Sequence, residues 1–108
     1  MERERKPIKN LNDVYLEGNL LSNPTLRLTE TGPWCNFDLA FNELDVTICI
    51  GISATGGLAN WCDNSLSKGD RIIIKGRLVS SRWENDHGKQ RRVELRAMHI
   101  KLLDGIPA

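Results

Sequence analysis

From residue 12 to residue 103 apolar and polar positions alternate over most of the chain, and a period of two marks half-buried strands. Val14, Leu16, Gly18 and Leu20 alternate with Tyr15, Glu17 and Asn19, giving a first strand with one side toward a core. Asn23-Pro24 interrupts it with a bend or bulge, since proline cannot donate to a strand ladder. Residues 26–31 are extended again, and Thr31-Gly32-Pro33 signals a hairpin. A second long strand over 34–42 sends Cys35, Phe37, Leu39 and Phe41 one way and Trp34, Asn36, Asp38 and Ala40 the other. A tight turn at Asn42-Glu43 leads to a third strand over 45–52. Its uniformly aliphatic side, Val46, Ile48, Ile50 and Ile52, is assigned to the core, which leaves Asp45, Thr47, Cys49 and Gly51 outward.

The period then changes. Ser53-Ala54-Thr55-Gly56-Gly57 reads as a loop, after which Leu58, Trp61, Cys62, Ser65 and Leu66 recur at the spacing of one helix face, with Trp61 in the core. Lys68-Gly69-Asp70 ends the helix, Gly69 being suited to a left-handed cap. A fourth strand puts Ile72, Ile74, Gly76 and Leu78 inward against Arg71, Ile73, Lys75, Arg77 and Val79. The segment from Glu84 to Lys89 is rich in turn formers, and residues 91–103 form a last strand with a bend near Met98. Five strands with one helix between the third and fourth predict an all-β, five-stranded Greek-key OB barrel, its helix plugging one end. Another small, partly open β-barrel is the alternative.

A chain of 108 residues and 12.2 kDa suits one domain, expected over 11–104, with a charged arm over 1–10 and a short stub over 105–108. Its 40% apolar and 27% charged content is that of a globular domain rather than a disordered chain. No apolar run approaches the ~18–20 residues that cross a bilayer, and MERERKPIKN lacks an apolar segment of the secretory kind. Three cysteines without a close pair fit free thiols, so a cytoplasmic or organellar setting without a membrane is expected, and Cys49 and Cys62 read as small apolar fillers.

The overall charge of +1 hides a strong asymmetry. Residues 11–70 carry two basic and eight acidic groups, whereas 71–101 carry nine basic groups against Glu84, Asp86 and Glu94. Such a basic third fits a polyanion, although strand edges also use Lys and Arg to discourage aggregation. No enzyme or cofactor site assembles: His87, His99 and the cysteines lack metal-ligand spacing, and Gly56-Gly57 is not followed by a phosphate-loop Lys. Glu84, Asp86 and His87 crowd into a turn, where solvation explains them.

Several segments, taken in order, resemble the bacterial-type single-stranded DNA-binding protein family. They are Asn12 with 14–20, Pro24-Thr25-Leu26-Arg27, Thr29 to Gly32, Phe37-Asp38-Leu39-Ala40, Leu66 through Leu78, and Arg82-Trp83 followed by Gly88, a basic pair and Glu94. The resemblance covers about residues 12–103 and implies sequence-tolerant binding of single-stranded DNA, with RNA possible, by a homotetramer or homodimer acting in replication, recombination or repair. Three departures stand out. The third strand offers Leu44, Cys49 and Ile50 near the places where the family carries stacking aromatics. The second hairpin loop is very short, and no acidic tail follows the last strand before Ala108, so recruitment of partners through such a tail is not expected.

Binding of this kind needs cations along the phosphates and flat side chains under the bases. Trp83 matches a base-stacking position of the family, against the alternative of covering the barrel edge. Trp34 faces away from the core, toward bases or a second subunit. Asn36 and Thr47, outward on the second and third strands, join the expected DNA-facing set. Lys75, Arg77, Arg82, Lys89, Arg91 and Arg92 gather about the last hairpin as a phosphate path, and Arg27 lies beside the first loop. Tyr15 is expected at a subunit interface or on DNA, and Phe37 and Phe41 inside the barrel. Arg71, Arg96 and Lys101 are read as solvated. Two rival readings stay open: a tail-less replication or primosome accessory protein derived from this family, and a structural OB subunit of an RNA- or protein-processing complex.

Overall fold

The computed structural model describes residues 9–103. They form β1 (Val14–Leu20), β2 (Thr25–Thr29), β3 (Gly32–Glu43), β4 (Val46–Thr55), α1 (Gly56–Ser65), β5 (Arg71–Asn85) and β6 (Gly88–Leu103). The expected arm, over residues 1–8 of its span, and the whole expected stub lie outside the described residues.

Hydrogen bonding runs β1-β5-β6-β4-β3, and β1 meets β3 again through Asn19 opposite Ala40 and Leu20 opposite Leu39. That second contact closes a five-stranded barrel, with β2 added along the other edge of β3 and β4–β6 as the parallel pairing. With α1 between β4 and β5, this is the predicted OB barrel. At two points, the β1–β3 closure and the β5–β6 bulge, backbones come so close that only glycine fits. A Cβ on Gly18 would run into the carbonyl oxygen of Ala40, and one on Gly76 into that of Arg96. The register of β5 and β6 slips beside Gly76, where Lys75 faces His99 but Gly76 faces Ala97. Met98 is the extra residue, so the expected bend is a β-bulge.

Leu20, Phe37, Leu39, Ile52, Ile72, Ile74 and Leu95 fill the barrel. The helix keeps most of its predicted face, with Cys62 and Leu66 buried and Leu58 packed against the core, but Trp61 gives way to Ala59. Strand β4 runs on to Thr55 where a loop was expected, so α1 begins at Gly56, and its buried residues are Ala59 and Cys62. Those small side chains let the helix sit close on β3 and β4, with Leu66 completing the plug and Trp61 left 36% exposed at its rim. Gly69 takes a positive φ of +93° in the turn before β5, but it is not the helix cap: α1 ends at Ser65 with Leu66 as an extended cap, ahead of the predicted Lys68-Gly69-Asp70 stop.

The other departures share one cause. The radius of gyration is 16.6 Å, against about 13 Å for a compact ~100-residue domain, because two hairpins stand clear of the barrel. The first turns at Leu44-Asp45, two residues beyond the predicted Asn42-Glu43, and lifts Val46 and Ile48 past the barrel rim. The second is regular strand to Asn85 and from Gly88, so only Asp86-His87 remain as loop. Asn85 Oδ1 accepts from the His87 N–H at 2.8 Å, and Gly88 supplies φ +97°. Val46, Ile48 and Leu78 keep the predicted alternation, but the barrel interior does not enclose them, and they are 61%, 38% and 42% exposed. Phe41, likewise near the rim, is half-buried, whereas Phe37 is core. Cys49 is exposed rather than a filler.

Candidate nucleic-acid interface

Residues directly opposite on paired strands share a face of the sheet. Trp34, Asn36 and Asp38 on β3 lie opposite Thr55, Ser53 and Gly51 on β4, while Arg27 and Thr25 on β2 flank Trp34 and Asn36 from the other edge. Ser53 pairs with Arg96 on β6, and from there β5 adds Arg77 beside Arg96, Val79 beside Glu94, Ser81 beside Arg92 and Trp83 beside Gln90. One outward side of the sheet therefore carries Arg27, Trp34, Asn36, Arg96, Arg77, Arg92 and Trp83. Thr47 lies on the same side at the far end of β4, its hydroxyl donating to Asn42 Oδ1 at 2.9 Å.

Two indoles are accessible here: Trp34 is half-buried, and Trp83 is 45% exposed far out on the β5–β6 arm. The Arg96 guanidinium lies 4.5 Å from the Trp34 ring centroid and its Nε donates to Ser53 Oγ at 2.8 Å. Arg92 reaches back over β4, where a Cβ on Gly51 would sit 3.1 Å from its Nη2, and it faces the buried Glu94 carboxylate at 3.6 Å. Asn36 keeps a side-chain oxygen without a hydrogen-bond donor.

The expected phosphate path is split. Arg82, Lys89 and Arg91 point to the opposite side of the arm from Arg77 and Arg92, Arg82 facing Arg91 and Lys89 facing Glu84. A groove of about 410 Å³ at the arm's end is lined by Arg82, Trp83, Glu84, Lys89, Gln90 and Arg91, so residues from both sides of the arm meet there. Lys75 is elsewhere, 5.7 Å from the Tyr15 ring centroid on the barrel wall built by β1 and β5. Arg71, expected to be solvated, is held by Glu17 and by Asn19 Oδ1 at 3.2 Å. Arg96 is the cation the strand pattern missed. Its alternation with Arg92 and Glu94 places it on this side, but sequence does not show that β4 brings Ser53 beneath it.

The family model for the single-strand binding protein family matches residues 11–103. The chain belongs to that family. Membership makes it a binding protein and not an enzyme. The single-stranded DNA-binding protein 2 of Chlorobaculum tepidum is 31% identical over 106 residues, spanning 87% of this chain and 72% of that protein. A thylakoid-associated single-stranded DNA-binding protein of Synechocystis is 32% identical over 100 residues, with 87% and 78% covered. The single-stranded DNA-binding protein of Thermus thermophilus is 36% identical over 98 residues, but the match spans only 36% of its length. Among solved structures, a Plasmodium falciparum SSB complex with ssDNA shares the fold at a TM-score of 0.81 and 23% identity, covering 92% of this chain and all of that one. No helix among the described residues is long and apolar enough to cross a membrane.

Proposed function

We propose that this chain binds single-stranded DNA with little sequence preference, stacking bases on Trp83 and Trp34. The phosphates pass Arg27, Arg77 and Arg92 on the outward side and Arg82, Lys89 and Arg91 across the arm, with Asn36 and Thr47 as polar contacts between them. One observation carries the reading. Arg82 stands directly opposite Arg91, and Arg77 directly opposite Arg96, and among the described residues none of the four has a carboxylate within 4.0 Å. Like charges facing each other across a ladder cost stability. A polyanion laid over them converts that repulsion into attraction, and each phosphate neutralised steepens the salt dependence by about 0.7 in log–log slope. The relatives named for single-stranded DNA binding support the same ligand.

A homo-oligomer belongs to the proposal. A single OB fold covers only ~4–16 nucleotides, and the wall of β1 and β5 exposes Tyr15 and Ile73 beside a β1 edge that meets β3 only at Asn19 and Leu20. A role in replication, recombination or repair and a cytoplasmic place rest on the bacterial relatives. Titration of labelled oligo(dT), oligo(rU) and a duplex of equal length, over a range of salt, tests the reading. Tight, salt-sensitive binding of the single strand is expected; affinity for the duplex equal to that for the single strand overturns it.

A further inference from the structure

The last strand's alternation predicts only a solvated position for Arg96, yet its surroundings fix it at two points. The guanidinium carbon is 4.5 Å from the Trp34 ring centroid, within the ~6 Å range of a cation–π contact. The Nε donates to the hydroxyl of Ser53, which is fully buried. One side chain from β6 thus ties down a residue of β4 and a ring of β3. Such ordering is costly for an arginine, whose free side chain samples many rotamers.

The held group is not used up by these contacts. A guanidinium offers five N–H donors in a planar fork, and Ser53 takes the one on Nε. Among the described residues no carboxylate lies within 4.0 Å of it, and its cross-strand neighbour is a second cation, Arg77. Its charge and its Nη donors are therefore unspent, and their position beside the indole is already set. An indole has two faces, and the guanidinium occupies one.

We infer that Arg96 holds the Trp34 indole as a one-sided plate for a single base and grips, through its Nη groups, the phosphate of the nucleotide stacked there. The inference rests on the single-strand reading above and adds to it a named residue for one nucleotide. A residue that merely stapled the three strands would lower stability when removed and leave the salt dependence of binding alone. One that grips a phosphate changes the salt slope, and one that sets the ring couples energetically to Trp34.

The test measures affinity for labelled oligo(dT) against salt for the wild type, Arg96→Met, Arg96→Lys, Trp34→Ala and the Trp34→Ala/Arg96→Met double variant, with melting temperatures alongside. Arg96→Met is expected to weaken binding roughly 10- to 50-fold and to flatten the slope by about 0.7. Arg96→Lys keeps the charge and the slope but loses roughly 3- to 10-fold, because an ammonium cannot lie flat on the ring. The double variant loses less than the product of the single losses, since both remove one plate. An unchanged slope in Arg96→Met, or multiplicative losses in the double variant, overturns the inference. Should Arg96→Met melt too low to assay, the Arg96→Lys comparison decides: affinity equal to wild type also overturns it. Weakened binding in Trp83→Ala with none in the Arg96 variants sinks this inference alone, while a wild type that prefers duplex sinks both it and the proposed function.

Discussion

Cys35 on β3 and Cys62 on α1 are fully buried, whereas Cys49 faces solvent, so three residues of one type fall into two different chemistries. Burial pushes the Cys62 thiol from 9.0 up to about 12, with Cys35 adding to the rise. Burial, and after it the Asp63 carboxylate, also raises Cys35, against a backbone hydrogen bond from Asn36 that lowers it. A group whose pKa is higher folded than unfolded makes its full contribution below the unfolded value and loses it as pH rises toward the folded one. Stability is therefore expected to hold to about pH 9 and then fall, by up to about 1.4 kcal/mol per pH unit from Cys62, as unfolded chains shed protons that folded chains keep. Guanidinium midpoints from about pH 8 to about pH 11 check this, and Cys62→Ala, though less stable overall, shows the shallower decline. Thiol titration gives one reactive group per native chain and three after unfolding. Gly18 tests closure itself. Gly18→Ala drives a methyl against the Ala40 carbonyl and is expected to cost about 3 kcal/mol in chemical denaturation, where an exposed glycine such as Gly57, with open space around it, tolerates the same change.

The arm formed by β5 and β6 is the element where function opposes stability. Arg82→Gln removes one of two facing cations, so it is expected to raise stability by roughly 0.2–1 kcal/mol while weakening oligo(dT) binding and flattening the salt slope by about 0.7. Melting temperature and affinity moving the same way would contradict that assignment. Trp83→Ala removes a half-exposed ring that does not belong to the core, so a loss of about 1–3 kcal/mol in binding is expected with little change in melting. Elements of this kind mark how far sequence could be read. Alternation identified which side of each strand faces inward, because the strand repeat is short and the barrel rewards it with burial, as at Phe37, Leu39, Ile72 and Ile74. It could not tell where a strand outruns the barrel, and so Val46, Ile48 and Leu78 were assigned to a core that stops short of them. Trp61 misled for another reason: the plug needs close contact, which Ala59 and Cys62 permit and an indole does not. The Arg82–Arg91 and Arg77–Arg96 pairs were invisible because opposition depends on register, which alternation does not give and which the two-residue turn at Asp86-His87 sets.

For the molecule as a whole, the largest unanswered demand lies on the wall built by β1 and β5. Tyr15 is 66% exposed and Ile73 38%, set on neighbouring strands with Lys75 against the Tyr15 ring. Beside them, β1 bonds to β5 over its length but to β3 only at its last two residues, so the backbone before Asn19 has one free edge. A free edge flanked by apolar side chains invites another strand, and proteins that stay monomeric usually blunt it with charge, proline or a cover. The segment Val14–Leu20 has a single charge, Glu17, and that carboxylate is occupied by Arg71. A second copy of the chain, meeting the first along this edge, would satisfy the backbone and bury Tyr15 and Ile73 in one step. Tyr15→Glu places a charge in that contact while leaving Trp34, Trp83 and the barrel interior untouched. It is expected to lower the molecular mass measured by sedimentation and to shorten the DNA length bound per particle, with thermal stability falling as protein is diluted in the wild type but not in the variant. A wild type that sediments as one chain at every concentration, or a Tyr15→Glu variant with unchanged mass, would remove the wall from the oligomer.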